Sequence, residues 1–391
     1  MSTLKISRLI PLIPLILMIA LFGRFENIRQ LGLVNDIAIL SAVGLLGLIA
    51  IWKLARIKSI EKNVFYLLVC MIMLMLWYVV LQVVLGLTAS SVSRTIYILI
   101  IAVTIFTLAV SSNSARFDEK RRHLAAIYFM TWSVLLVLFV FFIDTTGVRG
   151  INPNGVGMLS FAIIVIGFFF SVHKNYQKIY ILYLIASLFF VISVASRGAL
   201  LALVIFGFAY MFHSTIIRNK MIYWSVFLLS ASHVIIWVYL LSFAHENEYL
   251  QALNILSLDL FGARIFSGRD ILWPTIIEVL RNYPITGLGP SATLREVLDT
   301  GLSAHNGFLQ IGLQAGYVGI LLITVALLFV WRGLYMQPDS MTRRVSIAYF
   351  IGFVSVNTFE AALTQNHFAF ALLFWAIMGI SLGGSRRGVV R

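Results

Sequence analysis

The stretch VISVASRGALLALVIFGF, residues 191–208, decides the fold. It is apolar throughout except for a small polar cluster, Ser196-Arg197-Gly198, near its centre. A bare charge deep in hydrocarbon is costly and normally faces a polar cavity or a partner. The stretch therefore reads as two membrane-crossing helices that meet at Arg197. One reading makes Arg197 a turn residue at the headgroups, snorkelling outward. The other makes it a cation at the end of the second helix, pointing into a site.

The same pattern extends in both directions. The chain has 391 residues, 61% hydrophobic and only 11% charged, where soluble chains carry about 25% charge. Apolar runs of about 20 residues recur along nearly the whole length, which predicts an all-α polytopic membrane protein rather than a β-barrel of short alternating segments. About twelve transmembrane spans are expected, at 9–23, 31–52, 64–86, 95–111, 124–143, 156–172, 179–195, 198–212, 221–243, 305–331, 346–364 and 367–384. The first lacks a small-residue cleavage site and reads as an uncleaved span. The single cysteine, Cys70, lies in an apolar run and reads as packing.

The net charge of +14 is a matter of topology here rather than of nucleic acid. Of the 29 basic residues, 20 fall at the termini and in the even-numbered gaps, which the positive-inside rule makes cytoplasmic. Both termini are then cytoplasmic. The other nine, outside, are all arginine. Lysine is a hydrated point charge, whereas arginine offers a planar fork that grips two oxygens at once. An outer face rich in arginine suits phosphate or another oxyanion.

One outside loop, residues 244–304, is about sixty residues long and is expected to have a structure or function of its own. Within it, FSGRDILWPTIIEVLRNYPITGLGP (266–290) contains the capping pattern Ser267-x-x-Asp270, which predicts a helix start with Arg269 in its first turn. Such a start favours an anion. Pro274 is expected to restrict that helix. After the loop, SAHNGFLQIGLQAGYVG (303–319) places His305 and Asn306 at the end of a span, with Gly312 and Gly316 as a small-xxx-small pair for close helix packing. A neutral imidazole is suited to taking a proton from a hydroxyl. The turn DTTGVRGINPNGVGM (144–158) offers Arg149, Asn152 and Asn154 to sugar hydroxyls or phosphate. Arg264 is a further substrate-binding candidate. Asp36 and Glu360 are ionisable residues inside apolar runs, a functional signal by default, and each can also simply pair with an arginine or lie at a span end. No phosphate-binding loop or zinc-like ligand spacing is present.

Taken in order, SRGALLAL, SGRDILW with YPITGLGP, and HNGFLQIGLQAGYVG resemble the O-antigen ligase and O-antigen polymerase superfamily of integral-membrane glycosyltransferases. His305, Asn306, Gly316 and Gly319 fit that family's pattern, and GVRGINPNGVG looks like its Asn-rich outer turn. The resemblance implies a core domain at 149–331, including a periplasmic loop at 244–304, flanked by helices at 1–148 and 332–391. It implies a glycan donor on undecaprenyl diphosphate, an acceptor that is another glycan or lipid A–core, and no cofactor or metal. Membrane lipid and other envelope polysaccharide assembly proteins are further partners; nucleic acid is not. It also implies that Arg197 and Arg269 bind the diphosphate and that His305 assists the attacking hydroxyl, on the periplasmic face of a bacterial inner membrane. The SGRDILW and YPITGLG stretches look more like polymerases than ligases. A protein O-oligosaccharyltransferase fits less well. A lipid-linked sugar flippase is the rival from another class, but the polar signals gather around one loop rather than repeating in two halves.

Overall fold

The computed structural model describes residues 29–55, 60–112, 153–170, 181, 184–185, 187–189, 191–192, 196–261, 265–298, 303–338, 340–364, 368–383 and 389–390. Its helices are α1 (Arg29–Leu54), α2 (Lys62–Leu85), α3 (Ala89–Ser112), α4 (Pro153–Phe170), α5 (Arg197–Met211), α6 (His213–Arg218), α7 (Lys220–Glu246), α8 (Glu248–Phe261), α9 (Arg269–Asn282), α10 (Arg295–Leu298), α11 (Gly307–Tyr335), α12 (Met341–Phe359) and α13 (Phe368–Leu382). Two-residue strands at Ile60–Glu61 and Val389–Val390 pair antiparallel.

Among the described residues, α2, α3, α7 and α11 are long and apolar enough to cross a membrane, and α1, α4, α5 and α13 hold shorter apolar stretches. The expected spans at 9–23 and 124–143 lie outside the described residues, and 179–195 is described only in part. Asp36 lies on α1. The main packing partners are α2 with α11, α5 with α12, and α3 with α13. Aromatic rings fill the centre: Phe353 sits edge-on to both Phe374 and Trp375, and Tyr223 stacks on Trp331 at 4.1 Å. Cys70 is buried and free, as packing requires.

The segment expected as a long loop is largely helical. It holds α8, α9 and α10, and it has a core of its own. Trp273, Ile276 and Leu280 of α9 pack with Leu241 and Ala244 of α7 and with Leu309 and Leu313 of α11. The indole of Trp273 donates to the carbonyl of Ala304 at 2.9 Å, which ties α9 to the chain just before His305.

Two sequence readings change and one is settled. First, α9 is not opened by a capping box. Its N-cap is Gly268, left-handed at φ 81°, with no side-chain cap bond. Asp270 instead accepts from Gln251 of α8 at 3.0 Å, and the Ser267 hydroxyl serves another residue. Second, of the two readings of Glu360, inside the run 346–364 or at a span end beside an arginine, the structure has the latter. The helix ends at Phe359 and Glu360 is its C-cap. Third, Gly316 does not serve helix–helix packing. It breaks α11 with φ 64°. The turn Pro284–Leu288 crosses there so closely that a Cβ on Gly316 would overlap the Ile285 carbonyl. Tyr317 N donates to Pro284 O at 2.7 Å, and Leu288 N donates to Leu313 O at 2.8 Å. The turn thus satisfies backbone groups that the break exposes, as a broken helix in apolar surroundings requires. The Trp77 indole of α2 takes the Ala315 carbonyl at 3.1 Å.

Candidate active site at the helix ends

The N-termini of α5, α9 and α11 and the C-terminus of α12 meet in one place, and each brings a charged or titratable side chain. Arg197 is the first residue of α5. Arg269 is the first residue of α9. His305 stands just before Asn306, the N-cap of α11. Glu360 ends α12. Helix N-termini carry partial positive charge and exposed N–H groups. Neither α5 nor α9 has a side-chain cap to consume them.

The contacts form two sets joined by the backbone of residues 267–269. The Arg197 Nη2 donates to the Ser267 hydroxyl at 2.7 Å. Two residues on, the Arg269 Nη2 donates to the Phe359 carbonyl at 2.9 Å and to Glu360 Oε1 at 3.3 Å. The other Glu360 oxygen lies 3.3 Å from His305 Nδ1. Gly198 allows the close approach of α5 to α12, because a Cβ there would meet Phe359 Cβ at 3.3 Å.

The three charged groups differ in their surroundings. Arg269 is largely covered, with 14% of its side chain exposed, and its Nε has no hydrogen-bond partner. Burial lowers its pKa below the usual guanidinium value. Glu360 works against that shift, and nearby Arg197 adds to it. Arg269 still stays protonated at neutral pH. Arg197 is exposed and forms no salt bridge among the described residues. Glu360 therefore offsets Arg269, while the charge of Arg197 has no carboxylate against it among the described residues. His305 keeps 20% of its side chain exposed.

The backbone marks the same place. Among the described residues, the non-glycine positions with positive φ are Ser267 (53°) and His305 (46°). Such conformations cost about 1–3 kcal/mol each and gather where a site is pre-organised.

Asn306 is fully buried, and its polar atoms are engaged. Its Oδ1 accepts from Phe308 N and Leu309 N, and its Nδ2 donates to Thr358 O at 3.0 Å. It therefore caps α11 and also serves a C-terminal carbonyl of α12. Asn154 lies in the first turn of α4, one turn before Gly157, which packs directly against Ser196. Arg149, Asn152 and Arg264 lie outside the described residues. Arg281 and Arg295 are exposed at the end of α9 and the start of α10. Glu360 and Ser267 are the site residues that sequence reasoning did not assign. The signal for Glu360 was its charge in an apolar run; Ser267 had been read as a cap. No group of His, Cys, Asp and Glu that could hold a metal occurs among the described residues.

Beside Asn306 lies a cavity of about 410 Å³ between α7, α9, α11 and α12. Its walls are apolar side chains such as Val234, Leu280, Leu309 and Phe350, with Ser230, Asn306, Tyr317 and Thr324 as the exceptions.

No curated protein matches this chain. Residues 181–324, which hold Arg197, Arg269, His305 and the helices between them, match the O-antigen ligase family model, so the part of this multi-pass membrane protein that carries the site is similar to the O-antigen ligase and polymerase superfamily.

Proposed function

We propose that the protein transfers glycan from undecaprenyl diphosphate to a sugar hydroxyl at the periplasmic face of the inner membrane, within a twelve-span topology whose residues 244–304 lie outside. The observation that carries this reading is the pair of contact sets Arg197–Ser267 and Arg269–Glu360–His305, joined through the short backbone segment 267–269. A diphosphate needs fixed positive charge, and the attacking hydroxyl needs a base within reach of the same sugar carbon.

The residues divide this work. The exposed guanidinium of Arg197 and the uncapped starts of α5 and α9 receive the phosphate oxygens. Arg269 adds charge from below, held rigid by its bonds to Phe359 and Glu360. Glu360 accepts at His305 Nδ1, so His305 Nε2 is left to take the acceptor's proton. As the hydroxyl oxygen bonds to the anomeric carbon, the bond from that carbon to the phosphate oxygen breaks. The lipid diphosphate leaves with the bonding electrons, and the arginines stabilise its developing charge. The carboxylate of Glu360 stabilises the imidazolium that forms. A single displacement of this kind inverts the anomeric configuration. Asn306 acts by fixing the backbone next to His305. Arg149, Asn152, Asn154 and Arg264 remain candidates for contacts to the sugars and the phosphate. The apolar cavity beside Asn306 suits part of a lipid chain.

We favour polymerisation of lipid-linked repeat units, on the SGRDILW and YPITGLG stretches. Attachment of a finished chain to lipid A–core is the second reading. Purified protein in detergent, given lipid-linked glycan and EDTA, should lengthen or transfer glycan. A flippase would do nothing without a sealed membrane, and that result would defeat the proposal. A deletion strain separates the two transfer reactions: single-repeat chains mean polymerase, and long unattached chains mean ligase.

A further inference from the structure

We infer that α8 is seated in the outer leaflet of the bilayer and sets the depth of the Arg269 turn. Its amphipathicity is inverted. Besides Leu250, which packs on the neighbouring core, the residues that face the protein are polar: Asn254 is buried and accepts from Phe266 N at 3.2 Å, and Gln251 donates to the Ala244 carbonyl and to Asp270. The residues that face away are mostly apolar: Tyr249 is 84% exposed, Leu253 50%, Leu256 50% and Leu260 65%, in one stripe, and Ile255 is 59% exposed beside it; the exposed carboxylates Glu248 and Asp259 lie along one edge of that stripe, where headgroups and water reach them. A helix in water shows the opposite arrangement. A contiguous apolar face of this kind marks a surface that something covers.

The occupant follows from continuity with α7. That helix is apolar enough to cross a membrane, and only 11% of the residues in its most apolar window are buried, so the face turned away from α9 and α12 is left to lipid. A single residue, Asn247, separates α7 from α8. The start of α8 therefore lies at the level where α7 ends. At 27 residues α7 is about 40 Å long, enough to reach the outer headgroups. With 14 residues, about 21 Å, α8 is too short to cross the hydrocarbon again. It lies instead along the outer interface, its apolar side toward the acyl chains. Its polar side grips both ends of the turn that presents Arg269: Asn254 holds Phe266 N before the turn, and Gln251 holds Asp270 after it. Bilayer position is thereby passed to the arginine. This inference does not depend on the transfer chemistry.

The test is collision accessibility of a nitroxide on the full chain in phosphatidylethanolamine–phosphatidylglycerol liposomes. The label is placed at Ile255→Cys or Leu260→Cys in a Cys70→Ala background, with Leu253→Cys as the substitute if either variant fails to fold. The ratio of oxygen to nickel-chelate collisions should match that at Leu240→Cys near the outer end of α7 and exceed that at Arg281→Cys. Ile265→Cys, just before the turn, should read a depth between the two. Chelate access at 255 and 260 equal to that at 281 would overturn the inference. So would exclusion of both reagents with dipolar broadening, which would mean that a second copy covers the face.

Discussion

Glu360 stands 3.3 Å from His305, bound through Nδ1 at the C-terminal end of α12. A carboxylate at a helix C-terminus is unfavourably placed with respect to the helix dipole. It is held here by Arg269 through one oxygen, with the other beside His305. The arrangement fixes which ring nitrogen of the histidine is free.

His305→Ala should lower transfer by about 10²–10⁴-fold, the usual contribution of a positioned base, while leaving the protein folded. Glu360→Gln keeps an acceptor for Nδ1 but removes the charge that stabilises an imidazolium. Its loss should appear in kcat more than in KM, measured by steady-state transfer. Unchanged kcat in the Gln variant would remove Glu360 from the proton step.

Arg269 should behave differently from Arg197 because it also holds the fold. Arg269→Ala leaves Glu360 and the Phe359 carbonyl without their partner, which should cost about 3–5 kcal/mol. The double variant Arg269→Met with Glu360→Leu should recover most of the melting temperature in detergent without recovering activity. A double variant as unstable as Arg269→Ala would mean that the pair is not what stabilises this corner.

Arg197 is exposed, so Arg197→Lys should melt like the parent protein. Turnover should nevertheless fall by about 10²–10³-fold, because an ammonium cannot reproduce the fork that stabilises a leaving diphosphate. Full activity with lysine at 197 would refute the diphosphate role.

The turn that crosses the break in α11 makes a prediction remote from the chemistry. Gly316→Ala forces a side chain into the Ile285 carbonyl at positive φ, and Gly287→Ala would place a Cβ 2.5 Å from Leu313 O. Each should cost at least about 1–3 kcal/mol from backbone strain alone. Each should also expose the 284–288 turn to limited proteolysis and reduce transfer by shifting the start of α11. If either variant melted and cleaved like the parent protein, the crossing would not be holding the break.

Much of the helical framework was legible in the sequence, because hydrocarbon solvation acts on each run of residues by itself. Twenty apolar residues must form a helix wherever they sit in the chain. For the same reason Arg197, Arg269 and His305 stood out: a charge or an imidazole beside such a run needs a local explanation. Their convergence was not legible. Arg197 meets Ser267 across 70 positions, and Arg269 meets Glu360 across 91. No local pattern carries those pairings. Even the local signals were redirected by packing. The pattern around Ser267 suggested a cap, but the approach of α5 turned its hydroxyl to Arg197. Gly316 suggested helix packing, but the crossing turn broke the helix there.

By itself, then, the sequence determined that this chain forms apolar helices and where its unusual charges lie along them, since both follow from local solvation. Only the tertiary structure decided that Glu360 would link an arginine to a histidine, that Asn306 would be used up as a cap, and that α8 would turn its polar side inward. Each of these depends on which helix ends meet, and that is a property of the packed whole.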